Sequence, residues 1–213
     1  MRKILLTLLC LCIGTAAFSE TAAQLFAKAK REKDPNTQIK MLTRVIARSP
    51  RLADAYHYRA DAYLSQGRNK QALADYSKTI SLRPRDAFRY YARGLAYQKM
   101  GRNSQALADL SKAISLKSSY RNFYLARARV NVALEHYEDA LRDYQKYLGK
   151  RKPTSNIAKE MIPVYISAYR YDAAKKQLEE LQAAGDDSAD LHFWYGRVLF
   201  GQNRLDEAVS AYS

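Results

Sequence analysis

Residues 67–82 read GRNKQALADYSKTISL, and residues 101–116 read GRNSQALADLSKAISL, so nearly the same letters return after a step of 34. This step constrains the fold more than any composition does. A unit that recurs at a fixed period of this size cannot bury its apolar face alone and must stack against its own copies. The step extends in both directions. Counting from residue 53, Tyr56, Arg59, Ala60 and Tyr63 are followed by Ala72, Tyr76, Thr79 and Pro84. One period later stand Tyr90, Arg93, Gly94, Tyr97, Ala106, Leu110, Ala113 and Ser118, and the third copy reads Tyr124, Arg127, Ala128, Asn131, Ala140, Tyr144, Tyr147 and Lys152. A weaker fourth copy has Ala158, Met161, Ile162, Tyr165, Ala174, Leu178 and Leu181, and a fifth begins at His192, Tyr195, Gly196, Leu199 and Ala208 before the chain stops.

Each copy divides into two amphipathic halves. Large apolar residues fall at Tyr56, Tyr63 and Leu64, then at Leu73, Tyr76, Ile80 and Leu82; spacings of three, four and seven predict one-sided helices. Gly67-Arg68-Asn69 and Gly101-Arg102-Asn103 supply the helix stop and the turn between halves, because glycine takes the left-handed conformation that ends a helix at little steric cost. Pro84 ends the second helix by removing an amide donor and clashing with the preceding turn. A small residue at 60 or 94 faces the alanine at 72 or 106 and lets two antiparallel helices approach closely.

This pattern resembles the tetratricopeptide repeat family, in which a large residue is followed by a small one, an aromatic, an alanine, a second aromatic and a closing proline. Ala60, Gly94, Ala128 and Gly196 are each followed twelve positions later by alanine, at Ala72, Ala106, Ala140 and Ala208. The resemblance implies an all-α fold, an antiparallel helix-pair solenoid wound as a right-handed superhelix with a concave face. Residues 20–213 then form the repeat domain: a partial unit at 20–52, repeats at 53–86, 87–120 and 121–154, a degenerate repeat at 155–188 and an incomplete one at 189–213. The segment from Thr21 to Lys33 fits a first helix poorly, which predicts either a shortened connection around Asp34-Pro35-Asn36 or a capping helix. In the fourth repeat, Ile162 replaces the small residue and Pro163 follows it; an internal proline costs about 3 kcal/mol or kinks the helix, so a bend is predicted there, after a longer loop at Lys150-Arg151-Lys152-Pro153. The last repeat's second helix stops short at Ser213, as expected of a truncated chain, of a short reading frame or of an end covered by a partner.

The first 19 residues are a separate object. Arg2 and Lys3 precede an apolar run from Ile4 to Ile13, and Gly14-Thr15-Ala16-Ala17 follows. This order predicts a secretory signal peptide cleaved after Ser19 or Ala17, because the apolar run is far shorter than the roughly 20 residues of a spanning helix. Export to the periplasm or cell envelope is the expected localisation. Both cysteines, Cys10 and Cys12, lie in this leader, so the exported chain has neither a disulfide nor a cysteine metal site. Leu9 and Leu11 precede them where lipidation needs a small residue. Losing Arg2 and Lys3 and no acidic residue lowers the formal charge from +15 to +13, a balance that favours acidic partners or anionic surfaces.

The residues give no constellation for catalysis. His57, His136 and His192 are too dispersed for a ligand pair, and the glycines form no phosphate loop. No enzyme activity, cofactor or metal is expected, and export argues against a nucleic-acid partner. The resemblance instead implies a binding groove lined by the second, fifth, sixth, ninth and twelfth to thirteenth residues of each first helix. Applied to this sequence, the candidates are His57, Tyr58, Phe88, Tyr91, Arg129, Phe193, Trp194 and Arg197, where aromatic rings bury apolar side chains and guanidinium groups pair carboxylates. The lysine and asparagine clamp of chaperone-binding members is missing, since His57, Tyr91 and Leu125 stand at its fifth positions and Asp61, Leu95 and Arg129 at its ninth. Tyr63, Tyr76, Tyr97 and Tyr144 recur with the period and are expected to fill the core. The predicted function is a noncatalytic scaffold or adaptor of the envelope that binds a peptide or helix segment, preferably acidic. The alternatives are a basic adaptor in peripheral contact with an anionic membrane or wall surface, and the repeat part of a longer enzyme or assembly factor.

Overall fold

The computed structural model describes residues 20–211, so the expectations for the leader at 1–19 and for the last two residues lie outside it. The described residues form twelve α-helices. They fall into two compact units that divide between Pro84 and Arg85. The first holds α1 (Ala22–Ala29), α2 (Pro35–Arg48), α3 (Ala53–Ser65) and α4 (Asn69–Leu82). The second holds α5 (Ala87–Lys99), α6 (Asn103–Leu116), α7 (Arg121–Ala133), α8 (Tyr137–Leu148), α9 (Ser155–Ser167), α10 (Tyr171–Ala183), α11 (Ala189–Gly201) and α12 (Leu205–Ala211). Within each unit every helix packs on its sequence neighbour, and in the second α5 also meets α7 and α9 meets α11. Antiparallel pairs stacked in this way are the helix-pair solenoid that the period predicts.

The turns explain the regularity. After α3, the Gly67 amide donates to the Leu64 carbonyl and the Arg68 amide to the Tyr63 carbonyl, the paired bonds of a Schellman stop. The same two bonds close the turns after α5, α7, α9 and α11. The residue that must turn left-handed is Gly67 at φ 69° and Gly101 at φ 69°, then Glu135 at 61°, Tyr169 at 57° and Asn203 at 61°. Close helix approach is equally consistent: Ala60, Ala72, Ala106, Ala128 and Ala140 are fully buried. A Cβ on Gly94 would lie 3.0 Å from Leu110 Cγ, so that helix pair sits as close as its small residue allows.

Sequence periodicity alone did not reveal the interior ion pairs. Arg59 grips Asp75 with two bonds, Nε–Oδ2 at 2.7 Å and Nη2–Oδ1 at 2.9 Å. Arg93 holds Asp109 at 2.7 and 2.9 Å, and Arg127 holds Asp143 at 2.8 and 2.8 Å. Each fork joins a first helix to the second helix of its own pair. Arg59 also donates to Thr43 Oγ1 on α2, and Arg127 to Ser111 Oγ on α6, so the guanidinium ties its pair to the preceding one. All three aspartates are buried, which makes the charge-assisted fork necessary to offset their desolvation.

Three expectations need correction or refinement. The connection after the first helix is lengthened, not shortened: α1 ends at Ala29 and α2 begins at Pro35, capped by Asp34, whose carboxylate accepts from the Thr37 amide at 2.8 Å. Here α1 starts on a reciprocal Thr21–Gln24 capping box and is itself short. Helix α9 runs continuously from Ser155 to Ser167 with Pro163 inside it, since the helix need give up only one backbone bond there while Ile162 and Val164 are fully buried on either side. Tyr76 and Tyr144 are core residues, whereas Tyr63 and Tyr97 are half-buried and serve as platforms for cations: Arg68 lies 4.4 Å from the Tyr63 ring centre and Arg102 4.9 Å from that of Tyr97.

Candidate functional site

The candidate groove residues occupy the first helices, and each unit presents its own set. In the first unit, His57 and Tyr58 are half-buried on α3. Tyr58 meets Phe26 of α1 edge-on at 5.7 Å, with Lys30 Nζ 5.5 Å from its ring centre. His57 contacts Tyr58 and Tyr76 at 5.9 Å, and its Nε2 lies 3.6 Å from Asp61 Oδ2. The Tyr76 hydroxyl donates to the same carboxylate. Burial, with the Asp61 charge second, pushes the Tyr76 phenol well above its ordinary range. The His57 and Tyr58 rings therefore take part in helix packing and are only partly open to solvent.

In the second unit α5 carries a partly exposed stripe. Its buried residues are Ala87, Arg89, Gly94 and Ala96. Phe88, Tyr91 and Leu95 follow one another at i, i+3 and i+7 and so share a different face; Phe88 is 40% exposed and Leu95 37%. Phe88 meets Phe123 at 5.4 Å and Tyr120 at 5.0 Å, and Tyr91 meets Phe123 at 4.9 Å, so one buried ring seats both. Cations flank the stripe: Lys117 Nζ is 4.8 Å from the Phe88 ring centre, and Arg129 is near enough to draw the Tyr91 phenol downward, against the larger upward push of burial.

Arg129 itself is already engaged, contrary to its expected role as a free carboxylate receptor. Its Nε and Nη2 donate to Glu160 Oε2 and Oε1 at 2.9 and 2.8 Å, and the Tyr144 hydroxyl donates to Oε2 at 3.2 Å. The pairing joins α7 to α9, and the sequence could not show it because the partners stand 31 residues apart. On α11, Phe193 and Trp194 lie edge-on at 4.9 Å. Trp194 packs on the core beside Leu191 and Val198, while Phe193 is exposed. Arg197 is exposed and has no carboxylate partner among the described residues.

Two clefts are lined mostly by residues outside the expected row. One, of about 430 Å³, is lined by Ser111, Arg127, Asn131, Arg142, Asp143 and Lys146; its Arg127 is locked to Asp143 and its Arg142 bonds Asp139, so its charges are largely spent within the fold. The other, of about 720 Å³, is aromatic, with Tyr137, Tyr169, Tyr171 and Phe200 around Arg197. Sequence reasoning placed Arg197 on the groove and missed its aromatic surroundings. Among the described residues no cluster of metal-ligating side chains occurs, and no helix is long and apolar enough to cross a membrane.

A family model described as "TPR repeat" matches residues 60–101, and one described as "Tetratricopeptide repeat" matches residues 91–156 and 161–213. No curated protein matches the chain at the level of sequence. Several solved structures share the fold. YrrB, a TPR protein with an unusual peptide-binding site, is 20% identical over 80% of this chain and 88% of its own, with a TM-score of 0.70. PilF of Pseudomonas aeruginosa is 18% identical over 89% of this chain and 86% of its own, with a TM-score of 0.67. PilW, a type IV pilus biogenesis factor, is 16% identical over 89% and 88%, with a TM-score of 0.66. With the repeat models spanning more than half of its length and the helix pairs stacked as described, the chain belongs to the tetratricopeptide repeat family.

Proposed function

We propose that this chain is a noncatalytic interaction scaffold of the cell envelope that captures a protein segment, in extended or helical form, on the exposed face of its first helices. The observation that carries this is the α5 stripe of Phe88, Tyr91 and Leu95. Phe88 and Tyr91 rest on the buried Phe123 ring, yet Phe88 and Leu95 still leave apolar surface in solvent, with Lys117 at the margin. Apolar side chains of a partner would lie on the rings, and acidic ones would be drawn by Lys117 and by the strongly basic charge of the chain, formally +13 without residues 1–19. In the second unit Phe193, Trp194 and Arg197 of α11 are further candidates, and His57 and Tyr58 form a separate set in the first unit. The similarity to YrrB, described as having a peptide-binding site, and to PilW, described as a pilus biogenesis factor, agrees in kind. In this reading residues 1–19 would serve export and place the scaffold in the periplasm.

The test is capture of envelope proteins by the full chain compared with Phe88→Ala/Leu95→Ala, two substitutions of partly exposed residues. Loss of a discrete partner with helical circular dichroism unchanged is the expected result; an identical set of captured proteins would remove the stripe from the function. The net charge also supports a second reading, a basic adaptor on an anionic membrane surface. Binding to anionic vesicles that falls steeply as salt rises would favour that reading, and vesicle binding insensitive to salt would reject it.

A further inference from the structure

The turn after α9 alone among the five equivalent turns carries an aromatic ring at its left-handed position, where Glu135 and Asn203 stand in two of the others. Its left-handed position is filled by Tyr169 at φ 57°, where the first two complete pairs have Gly67 and Gly101 at φ 69°. A bulky L-residue is disfavoured in this conformation, and the ring recovers nothing by burial because Tyr169 is 81% exposed. An aromatic side chain that strains the backbone and stays in water points to a use outside the fold. Phe200, 63% exposed, stands with it at the cleft of about 720 Å³. Tyr171 completes the floor: its ring lies so close over Gly201 that a Cβ there would run into it. The acidic groups nearby are engaged, Glu138 by Arg170 at 2.9 and 2.7 Å and Asp172 by Gln202 at 2.8 Å. Arg197 is the one charged lining residue, and no carboxylate holds it among the described residues.

We infer that this cleft binds an acidic peptide segment, seating an aromatic or aliphatic side chain on Tyr169, Tyr171 and Phe200 and pairing an adjacent carboxylate with the Arg197 guanidinium, whose planar fork suits two parallel bonds. This rests on the chain being a peptide-binding scaffold and gives that scaffold a second surface with a defined ligand chemistry. The complementarity comes from a single cation in an aromatic setting, so an apolar segment without acidic residues, or a basic one, should not be retained.

The test uses the full chain and fluorescein-labelled peptides of sequence SDFEFDS, SKFKFKS and SDAEADS at low salt, read by polarisation. Saturable binding of the first is expected, with the other two at least about tenfold weaker. Arg197→Ala and Tyr169→Gly should each weaken SDFEFDS by about tenfold, and Tyr169→Gly should at the same time raise the midpoint of unfolding, since glycine relieves the turn. A merely structural tyrosine would not give that opposed pair of results. Binding unchanged in both variants, or no wild-type binding at millimolar peptide, overturns the inference. Loss with Tyr91→Ala but retention with Tyr169→Gly would seat the peptide on α5, overturning this inference while leaving the proposed function standing. Self-association lost with Tyr169→Gly would assign the cleft to a second copy and also overturn it.

Discussion

Within the second unit, α5–α8 and α9–α12 solve one packing problem in two ways. In α5–α8 an arginine of the first helix grips an aspartate of the second, as Arg93 with Asp109 and Arg127 with Asp143. One period later the same places hold Met161 and Gln177, and Met161 is buried among Tyr144, Ile157 and Val164. Likewise Gly94 and Ala128 give way to Ile162, fully buried with Ala174 and Leu178. The joint between pairs changes too: residues 149–154 connect α8 to α9 where 117–120 connect α6 to α7, and α10 ends on a Schellman stop at Gly185, φ 88°. The pair can thus be closed by a desolvated ion pair or by apolar packing, and the two are energetically interchangeable when geometry is good. The fork adds register, because it forms only when helices of one pair meet in one alignment. Where the repeat departs from its own pattern, residues such as Tyr169 and Phe200 are freed from that alignment and face solvent.

The largest effect should come from breaking one fork. Asp143→Ala leaves Arg127 without its partner and should cost about 3 kcal/mol in urea unfolding, whereas Gln177→Ala at the equivalent place should cost under about 1 kcal/mol. Equal losses would erase the contrast. Writing the fourth repeat into the third, Arg127→Met with Asp143→Gln, should return to within about 1.5 kcal/mol of the wild type.

An alkaline titration comes next. Burial first and the Glu160 charge second hold the Tyr144 phenol above its ordinary range, so the folded state keeps a proton that the unfolded chain releases near pH 10. Stability from this group is complete below that pH and is lost as pH rises further. Tyr144→Phe should flatten the decline above pH 10, and Leu178 at the equivalent place contributes no such slope. Smaller still is Glu135→Gly, which should stabilise by about 0.5–1 kcal/mol at a left-handed turn position where Gly67 and Gly101 already stand. Smallest is Arg170→Ala: its fork with Glu138 is exposed on both sides, and the unfolding midpoint should not move measurably.

Most of the fold was legible because it follows from one period. Gly67 and Gly101 announce their turns, and the period carries the same turn to Glu135 and Tyr169, where no letter signals it. The start of the chain was less legible: the Thr21–Gln24 capping box, the short α1 and the long connection to α2 depend on how the first pair packs. The forks were visible only as recurring letters: Arg59, Arg93 and Arg127 each precede an aspartate by 16 positions. That spacing crosses a turn, so only the tertiary pairing of two helices makes it a contact. The candidate site divides similarly. The exposed α5 stripe follows from helical spacing, but Arg129's engagement by Glu160 and the aromatic surroundings of Arg197 depend on neighbouring repeats. Histidine and tyrosine on α3 show why residue type alone misleads: His57 and Tyr58 are at groove positions and yet are half-buried, with ring contacts to Tyr76 and Phe26.

The central claim is that the first helices, and α5 above all, form the capturing surface. It is tested most directly by placing a photoreactive benzoylphenylalanine at Phe88, at Leu95 and, as controls, at the exposed Lys112 and Ser115 of α6, then irradiating cells that produce the full chain. A discrete protein adduct from positions 88 and 95, with none from 112 and 115, is the expected result. Adducts from α6 alone, or equal adducts from both helices, would contradict the assignment.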